Sequence, residues 1–101
     1  GLGWTFSADV VGVAVSGDTV YATVMRNLTE NGSERTGVLV ALDRLSGREL
    51  WRYQAPGRQS QFMDQPIVAT GRVIVNDNLD FSIIAIDPGT RERVWRVGMD
   101  R

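Results

Sequence analysis

Residues 76–80, Asn-Asp-Asn-Leu-Asp, place oxygen-bearing side chains close together and form the segment of this sequence best suited to binding a hard cation such as calcium. The run lacks the glycine that occupies the sixth position of an EF-hand loop. Short acidic runs between strands are more often solvated turns than metal sites. We therefore predict a turn at residues 76–80 and no metal site.

Composition excludes most other catalytic chemistry. The 101-residue chain contains no cysteine and no histidine, and all 11 of its basic residues are arginine. It therefore has no thiol nucleophile, no imidazole base, no lysine for a Schiff base, and no nitrogen and sulfur ligands for zinc. Since no pair of acidic residues converges in the sequence pattern, we predict no catalytic residue in this chain.

The charge and hydropathy patterns exclude two classes of partner. The formal net charge is −1, and the arginines are scattered singly. Such a pattern offers no basic stripe along which a nucleic acid could bind. No apolar run approaches the roughly 18 to 20 residues that a membrane-spanning helix needs. We predict neither a nucleic-acid partner nor a membrane span.

The sequence contains an internal repeat, and the strands and turns of this repeat would position any functional site. Residues 41–52, ALDRLSGRELWR, return 44 residues later as residues 85–96, AIDPGTRERVWR. The alanine, aspartate, tryptophan and final arginine are identical in the two copies. A period in the low forties that is carried by strand and turn residues is typical of the blades of a β-propeller.

The hydrophobic period around the repeat is two, which predicts strands rather than helices. We predict eight strands, at residues 10–15, 19–24, 37–43, 49–53, 67–70, 72–76, 81–87 and 92–97. The first of them is almost continuously apolar, so we predict a strand that is covered on both faces. The expected fold is all-β and consists of propeller blades, each a four-stranded antiparallel sheet.

The same pattern divides the chain into segments. We interpret residues 1–8 as the end of a preceding blade, 9–54 as blade one, 55–65 as a connector and 66–101 as blade two. A closed propeller has roughly four to eight blades. We therefore expect about two blades of a larger propeller. The expected partners are the other blades of a longer chain, or identical copies that complete a ring, four of which would supply eight blades.

Two variable segments are candidates for recognition. Residues 26–36 are polar and are predicted to form an exposed loop between the second and third strands of blade one. Blade two has a much shorter loop there, and loops of unequal length on equal scaffolds often carry binding sites. Within the connector, we predict that Phe62 and Met63 pack under the rim of the blades.

The repeated segment has a structural explanation. Asp43 and the serine three residues later can accept hydrogen bonds from backbone N–H groups in a tight turn, and Gly47 can adopt a positive φ at low cost. Trp51 then presents a large apolar ring that can dock between blades. Asp87 and Trp95 are the corresponding residues of the second copy. Since an arginine replaces the glycine in that copy, we predict a changed turn geometry there.

The pattern Ala-x-Asp-x-x-(Ser/Thr)-Gly-x-x-x-Trp at residues 41–51 resembles the tryptophan-docking motif of the pyrroloquinoline-quinone-like (PQQ-like) propeller repeats. The resemblance covers essentially the whole chain as two repeats. The family includes quinoprotein dehydrogenases, and it also includes non-enzymatic relatives such as the propeller lipoprotein of the outer-membrane barrel-assembly machinery.

This resemblance implies two possible functions. The first is a non-catalytic binding or scaffolding segment that recruits a protein or ligand through its loops, needs no cofactor, and acts in the periplasm or at the surface of a bacterial cell. The alternative is a fragment of a PQQ-dependent quinoprotein dehydrogenase whose active site lies in other blades. PQQ and calcium are implied only by the alternative. Many such enzymes also carry an adjacent cysteine pair, which this chain lacks.

Overall fold

The computed structural model describes residues 9–31, 34–55, 59–62, 64–79 and 81–98. All regular secondary structure within these ranges is β-strand: β1 (Asp9–Ser16), β2 (Thr19–Asn27), β3 (Arg35–Asp43), β4 (Glu49–Tyr53), β5 (Ile67–Ala69), β6 (Arg72–Asp77), β7 (Ser82–Asp87) and β8 (Glu92–Gly98). They form two four-stranded antiparallel sheets in the orders β1-β2-β3-β4 and β5-β6-β7-β8. The predicted all-β fold is confirmed. The predicted segment 1–8 lies outside the described residues.

The first sheet is apolar on both faces because β2 and β3 alternate two sets of apolar side chains. One face carries an aliphatic cluster that comprises Val20, Ala22, Val24, Val38, Val40 and Leu42. The opposite face carries a more aromatic set, which comprises Tyr21, Leu39, Ala41, Trp51 and Tyr53. Neighbouring positions along a strand point to opposite faces, so consecutive buried residues belong to different clusters.

The second sheet receives the aromatic face of the first. Its facing side carries Val73, Val75, Ile84 and Ile86, all of them almost completely buried. These side chains form one core cluster with the aromatic face of the first sheet. The other side of the second sheet leaves Ile67, Trp95 and Val97 exposed. The sheets therefore stack as neighbouring blades, each with an aliphatic side and a tryptophan-bearing side.

The exposure of strand β1 contradicts the prediction that this strand is covered on both faces. Its valines are predicted to be covered on both faces, yet Val10, Val13 and Val15 are 44%, 42% and 52% exposed. In the part of the chain that the structure describes, β1 is the edge strand of its sheet and pairs only with β2. An apolar sequence allows a strand to be buried on both faces. Whether the strand is buried depends on its position in the sheet.

The connector between β4 and β5 lies directly on the first sheet. The N–H of Gly37 donates to the carbonyl of Ser60 at 2.7 Å, and the Thr23 hydroxyl donates to the carbonyl of Asp64 at 3.0 Å. A Cβ placed on Gly12 would lie 2.5 Å from the Cα of Gln65. The connector therefore crosses β3, β2 and β1 in turn, and the absence of a side chain at Gly12 admits its backbone.

We expect Gly12→Ala to destabilise the fold by about 1 to 3 kcal/mol, because the new methyl group would overlap backbone atoms that cannot rotate away. Urea unfolding monitored by tryptophan fluorescence measures the change in the free energy of unfolding. Gly98→Ala is the matched control, since the nearest atom to its new Cβ is the end of the Arg96 side chain at 3.6 Å. Equal effects of the two substitutions would contradict the close approach at Gly12.

Candidate functional site

The first repeated turn satisfies its own polar groups. A carboxylate oxygen of Asp43 accepts a hydrogen bond from the N–H of Leu45 at 3.0 Å, and the Ser46 hydroxyl accepts one from the N–H of Arg48 at 3.2 Å. The N–H of Gly47 donates to the carbonyl of Asp43 at 2.8 Å, with Gly47 at a φ of 76°. Asp43 and Gly47 thus lie together in one turn, where the aspartate acts as a cap.

The second turn repeats this geometry despite its different sequence. Asp87 accepts a hydrogen bond from the N–H of Gly89 at 2.7 Å through its carboxylate, and one from the N–H of Arg91 at 2.6 Å through its carbonyl. Arg91 adopts a φ of 66°, close to that of Gly47. The predicted change of turn geometry is therefore wrong. The flanking strands impose the turn, and Arg91 occupies a conformation that bulky residues rarely adopt.

The two repeated tryptophans lie in different surroundings. Trp51 is half-buried against the core cluster between the sheets, and its ring centroid lies 6.0 Å from that of Tyr21 at an interplanar angle of 57°. Burial raises the pKa of the Tyr21 hydroxyl. Trp95 is 41% exposed on the outer side of the second sheet, which no other described sheet covers. A docking role for Trp95 stays a prediction.

Asp77, in the run considered for calcium, is a buried anchor rather than part of a solvated turn. It has no solvent-exposed surface. One of its carboxylate oxygens accepts hydrogen bonds from the N–H groups of Gln61 and Leu79, both at 3.0 Å. The N–H of Asn78 donates to the carbonyl of Gln61 at 2.8 Å. Asp77 therefore joins the loop between β6 and β7 to the connector.

The acidic side chains of the described residues do not gather into a metal-binding group. Among them, no three histidine, cysteine, aspartate or glutamate residues converge on one point, and Asp80 lies outside the described ranges. Sequence reasoning missed the structural role of Asp77, although the alternation of Val73 and Val75 along β6 places residue 77 on the same buried face.

A second group of buried polar residues holds the connector to β3. The N–H of Ser60 donates to the Thr36 hydroxyl at 2.9 Å, and both residues are fully buried. The Ser60 hydroxyl itself has no hydrogen-bond partner among the described residues. The Thr36 hydroxyl stabilises the fold, because it accepts a hydrogen bond from a buried N–H group. The Ser60 hydroxyl destabilises it, because it is buried without a hydrogen bond.

We expect Thr36→Val to destabilise the fold by about 1 to 3 kcal/mol, because it leaves the buried N–H of Ser60 without an acceptor. Ser60→Ala removes a hydroxyl that makes no bond, so its effect should be neutral or stabilising by up to about 1 kcal/mol. Thermal unfolding of the two variants beside the parent chain tests the difference. A larger loss for Ser60→Ala than for Thr36→Val would overturn this assignment.

The two loops that join the second and third strands of each sheet lie at one end of the molecule. The hydrogen bonds of Gly37 and Asn78 to adjacent connector residues bring these loops together. We call this region the loop end, and define it as residues 28–31, 34, 78, 79 and 81 together with connector residues 59–62, 64 and 65. Phe62 of the connector is fully buried in the core cluster, as predicted, whereas Met63 lies outside the described residues.

Three large apolar side chains are exposed at the loop end. Leu28, Leu79 and Phe81 are 42%, 49% and 42% exposed. The loop of Leu28 is closed by a hydrogen bond from its N–H to the carbonyl of Glu34 at 2.8 Å. Phe81 has a φ of 58°, a strained conformation for an aromatic residue. Apolar groups held outward by an ordered backbone form a surface suited to contact with another molecule.

Four-stranded antiparallel sheets that repeat and stack face to face define a β-propeller repeat protein. A family model described as outer membrane protein assembly factor BamB, built on the PQQ-type repeat, matches residues 2–101. The chain therefore belongs to this family, and the resemblance seen in the docking motif is confirmed. No curated protein matches the chain. Among the described residues, no helix is long and apolar enough to cross a membrane.

Proposed function

We propose that this chain is a non-catalytic binding segment of a PQQ-like propeller in an outer-membrane protein assembly factor, and that it recruits a protein partner through its loop end. The observation that carries the proposal is the exposure of Leu28, Leu79 and Phe81 on loops that hydrogen bonds hold in place. Exposed aromatic and aliphatic side chains on an ordered scaffold are typical anchors of protein–protein interfaces.

The hydrogen bonds that hold these loops in place support a binding role for the exposed apolar side chains. Asp77 fixes the N–H of Leu79, and the connector fixes Asn78, so hydrogen bonds hold the backbone that carries Leu79 in place. An interface built on a preordered surface loses less conformational entropy when the partner binds. The loop end therefore has the properties of a preformed docking surface.

The proposed role requires no cofactor. The chain offers no cysteine, histidine or lysine for covalent or acid–base chemistry, and its described carboxylates do not gather into a calcium site. The family is named for outer-membrane protein assembly, which supports a location outside the cytoplasm. We propose that the protein acts in the periplasm or at the outer membrane of a bacterial cell.

Site-specific photocrosslinking in cells tests the binding proposal. A photoreactive amino acid at position 28, 79 or 81 is expected to form a crosslink to one discrete protein, identified by mass spectrometry. The matched control is position 45, because Leu45 is apolar and 83% exposed but lies on the turn at the opposite end of the sheet. Crosslinks of equal strength from position 45, or none from the loop end, would overturn the proposal.

The enzymatic alternative is tested by reconstitution. The chain is incubated with PQQ and calcium, and oxidation of alcohols or sugars is followed with an artificial electron acceptor. We expect no turnover above the rate without protein. Saturable turnover that disappears in an Asp77→Asn variant with unchanged thermal stability would replace the binding proposal with the dehydrogenase.

The outer face of the second sheet supports a proposal about assembly. Trp51 docks against the aliphatic face of the second sheet, and Trp95 occupies the corresponding position on the exposed side of that sheet. We propose that another blade covers Trp95, either from a longer chain or from a second copy. This arrangement would bury the exposed ring as the ring of Trp51 is buried.

Light scattering on the purified 101-residue chain tests this assembly. We expect association at micromolar concentration, and we expect Trp95→Ser to shift the population toward smaller species. Leu45→Ser is the control for a general loss of apolar surface. A cooperatively folded monomer whose stability does not depend on concentration would contradict the proposed coverage of Trp95.

A further inference from the structure

The two repeats differ in charge along their outer strands. In β4, Glu49 accepts a hydrogen bond from the Nε of Arg52 at 2.9 Å, and this contact lowers the pKa of the Glu49 carboxyl. The positions that correspond in β8 are Arg93 and Arg96. A balanced ion pair in the first blade is therefore replaced by two arginines in the second, and Arg91 adds a third where the first blade has a glycine.

An open cleft lies where this basic segment faces the end of β4. Its volume is about 410 Å³, and it is lined by Tyr53, Gln54, Arg91, Glu92 and Arg93. The cleft is at the outer perimeter of the interface between the two sheets. It is thus separate from the exposed apolar side chains of the loop end.

The charge within this cleft is unbalanced. Two arginines and one glutamate line it, in a chain whose overall formal charge is −1. Neither Arg91 nor Arg93 forms an ion pair within the described ranges, whereas Arg35 pairs with Asp9 and Arg52 with Glu49. A guanidinium presents a planar fork of donors that matches a carboxylate, so an anionic ligand would complete the cleft.

We propose that this cleft binds an acidic segment of a partner protein that carries several carboxylates. Arg91 lies in the turn before β8 at a φ of 66° and Arg93 lies in β8, so the two arginines can each pair with a separate carboxylate of one peptide. Gln54 also lines the cleft; its Oε1 accepts a hydrogen bond from the Arg26 guanidinium at 3.3 Å, and its amide N–H groups can donate to the peptide. This site goes beyond the proposed loop-end interface and can be tested separately from it.

The test uses fluorescence anisotropy at low ionic strength with a labelled Glu-Val-Glu-Val-Glu peptide. The chain is expected to bind it, and to bind the matched Gln-Val-Gln-Val-Gln peptide much more weakly. The double variant R91G/R93E gives the second blade the residues that the first blade carries at Gly47 and Glu49, in a turn of the same geometry. We expect about tenfold weaker binding of the acidic peptide.

The control is R48E, which reverses one charge on the corresponding turn of the first blade, outside the cleft, and so changes the net charge by −2 compared with −3 for the double variant. It should leave peptide affinity within about twofold of the parent chain. Circular dichroism and thermal unfolding verify that each variant is folded. If the double variant fails to fold, R93Q alone removes one guanidinium and should weaken binding about threefold.

Three outcomes would overturn the proposal. The first is equal affinity for the acidic and amide peptides. The second is equal loss of affinity in R48E and in R91G/R93E. The third is displacement of the peptide by inorganic phosphate with an affinity equal to that of the peptide, which would indicate a site for small anions. Loss of loop-end crosslinks with retention of peptide binding would count against the proposed function alone.

Discussion

Trp51→Ala is expected to destabilise the fold by about 3 to 5 kcal/mol, because removal of a large ring from a packed interface leaves a cavity and loses its transfer free energy. Trp51 packs on the cluster that joins both sheets, and its ring contacts Tyr21 at a centroid distance of 6.0 Å. The loss therefore weakens the contact between the blades as well as the first sheet. Urea unfolding monitored by far-ultraviolet circular dichroism measures the change.

Leu45→Ala is the control for this experiment. Leu45 is apolar but 83% exposed at the tip of the turn between β3 and β4, so truncation there should change the free energy of unfolding by less than about 0.5 kcal/mol. If both substitutions had the same small effect, Trp51 could not be the residue that docks the first sheet on the second.

Phe62→Ala is expected to cost a similar amount, about 3 to 5 kcal/mol, because the ring is fully buried. Phe62 belongs to the connector, and it contributes to the core cluster together with residues of both sheets. Its removal should also loosen the connector. We expect faster hydrogen exchange at the N–H groups of Gly37 and Asn78, which donate to the neighbouring residues Ser60 and Gln61.

Phe62→Leu is the matched variant for this prediction, since leucine refills most of the space at the same position. It should recover more than half of the lost stability and restore slow exchange at Gly37 and Asn78. Unchanged exchange in Phe62→Ala, despite the expected loss of stability, would show that the connector is held by its hydrogen bonds alone.

Much of the fold follows from local patterns. The repeated segments, the period-two alternation and the turn residues Asp43 and Gly47 predict eight strands in two antiparallel sheets, and the structure has them. These features depend on interactions between residues close in sequence, such as the bond from the N–H of Gly47 to the carbonyl of Asp43. Such interactions form in the same way in each copy of the repeat.

The errors have a common physical origin. Arg91 is a poor residue for a positive φ, and local preference therefore predicts a different turn. The pairing of β7 with β8 imposes the same turn as in the first blade. In the same way, the apolar sequence of β1 indicates burial, but its place at the edge of the sheet leaves the valines exposed. In both cases the pairing of the strands, rather than the preference of the single residue, decides the outcome.

The sequence by itself determined that the chain is built of repeated four-stranded sheets, because period and turn chemistry are local properties. Only the tertiary structure decided which groups meet. It buried Asp77 beside the N–H of Gln61, placed the backbone of Gln65 against Gly12 and bonded the Thr23 hydroxyl to the carbonyl of Asp64. These contacts join residues far apart in the chain, so they depend on how the two sheets pack, which no local pattern specifies.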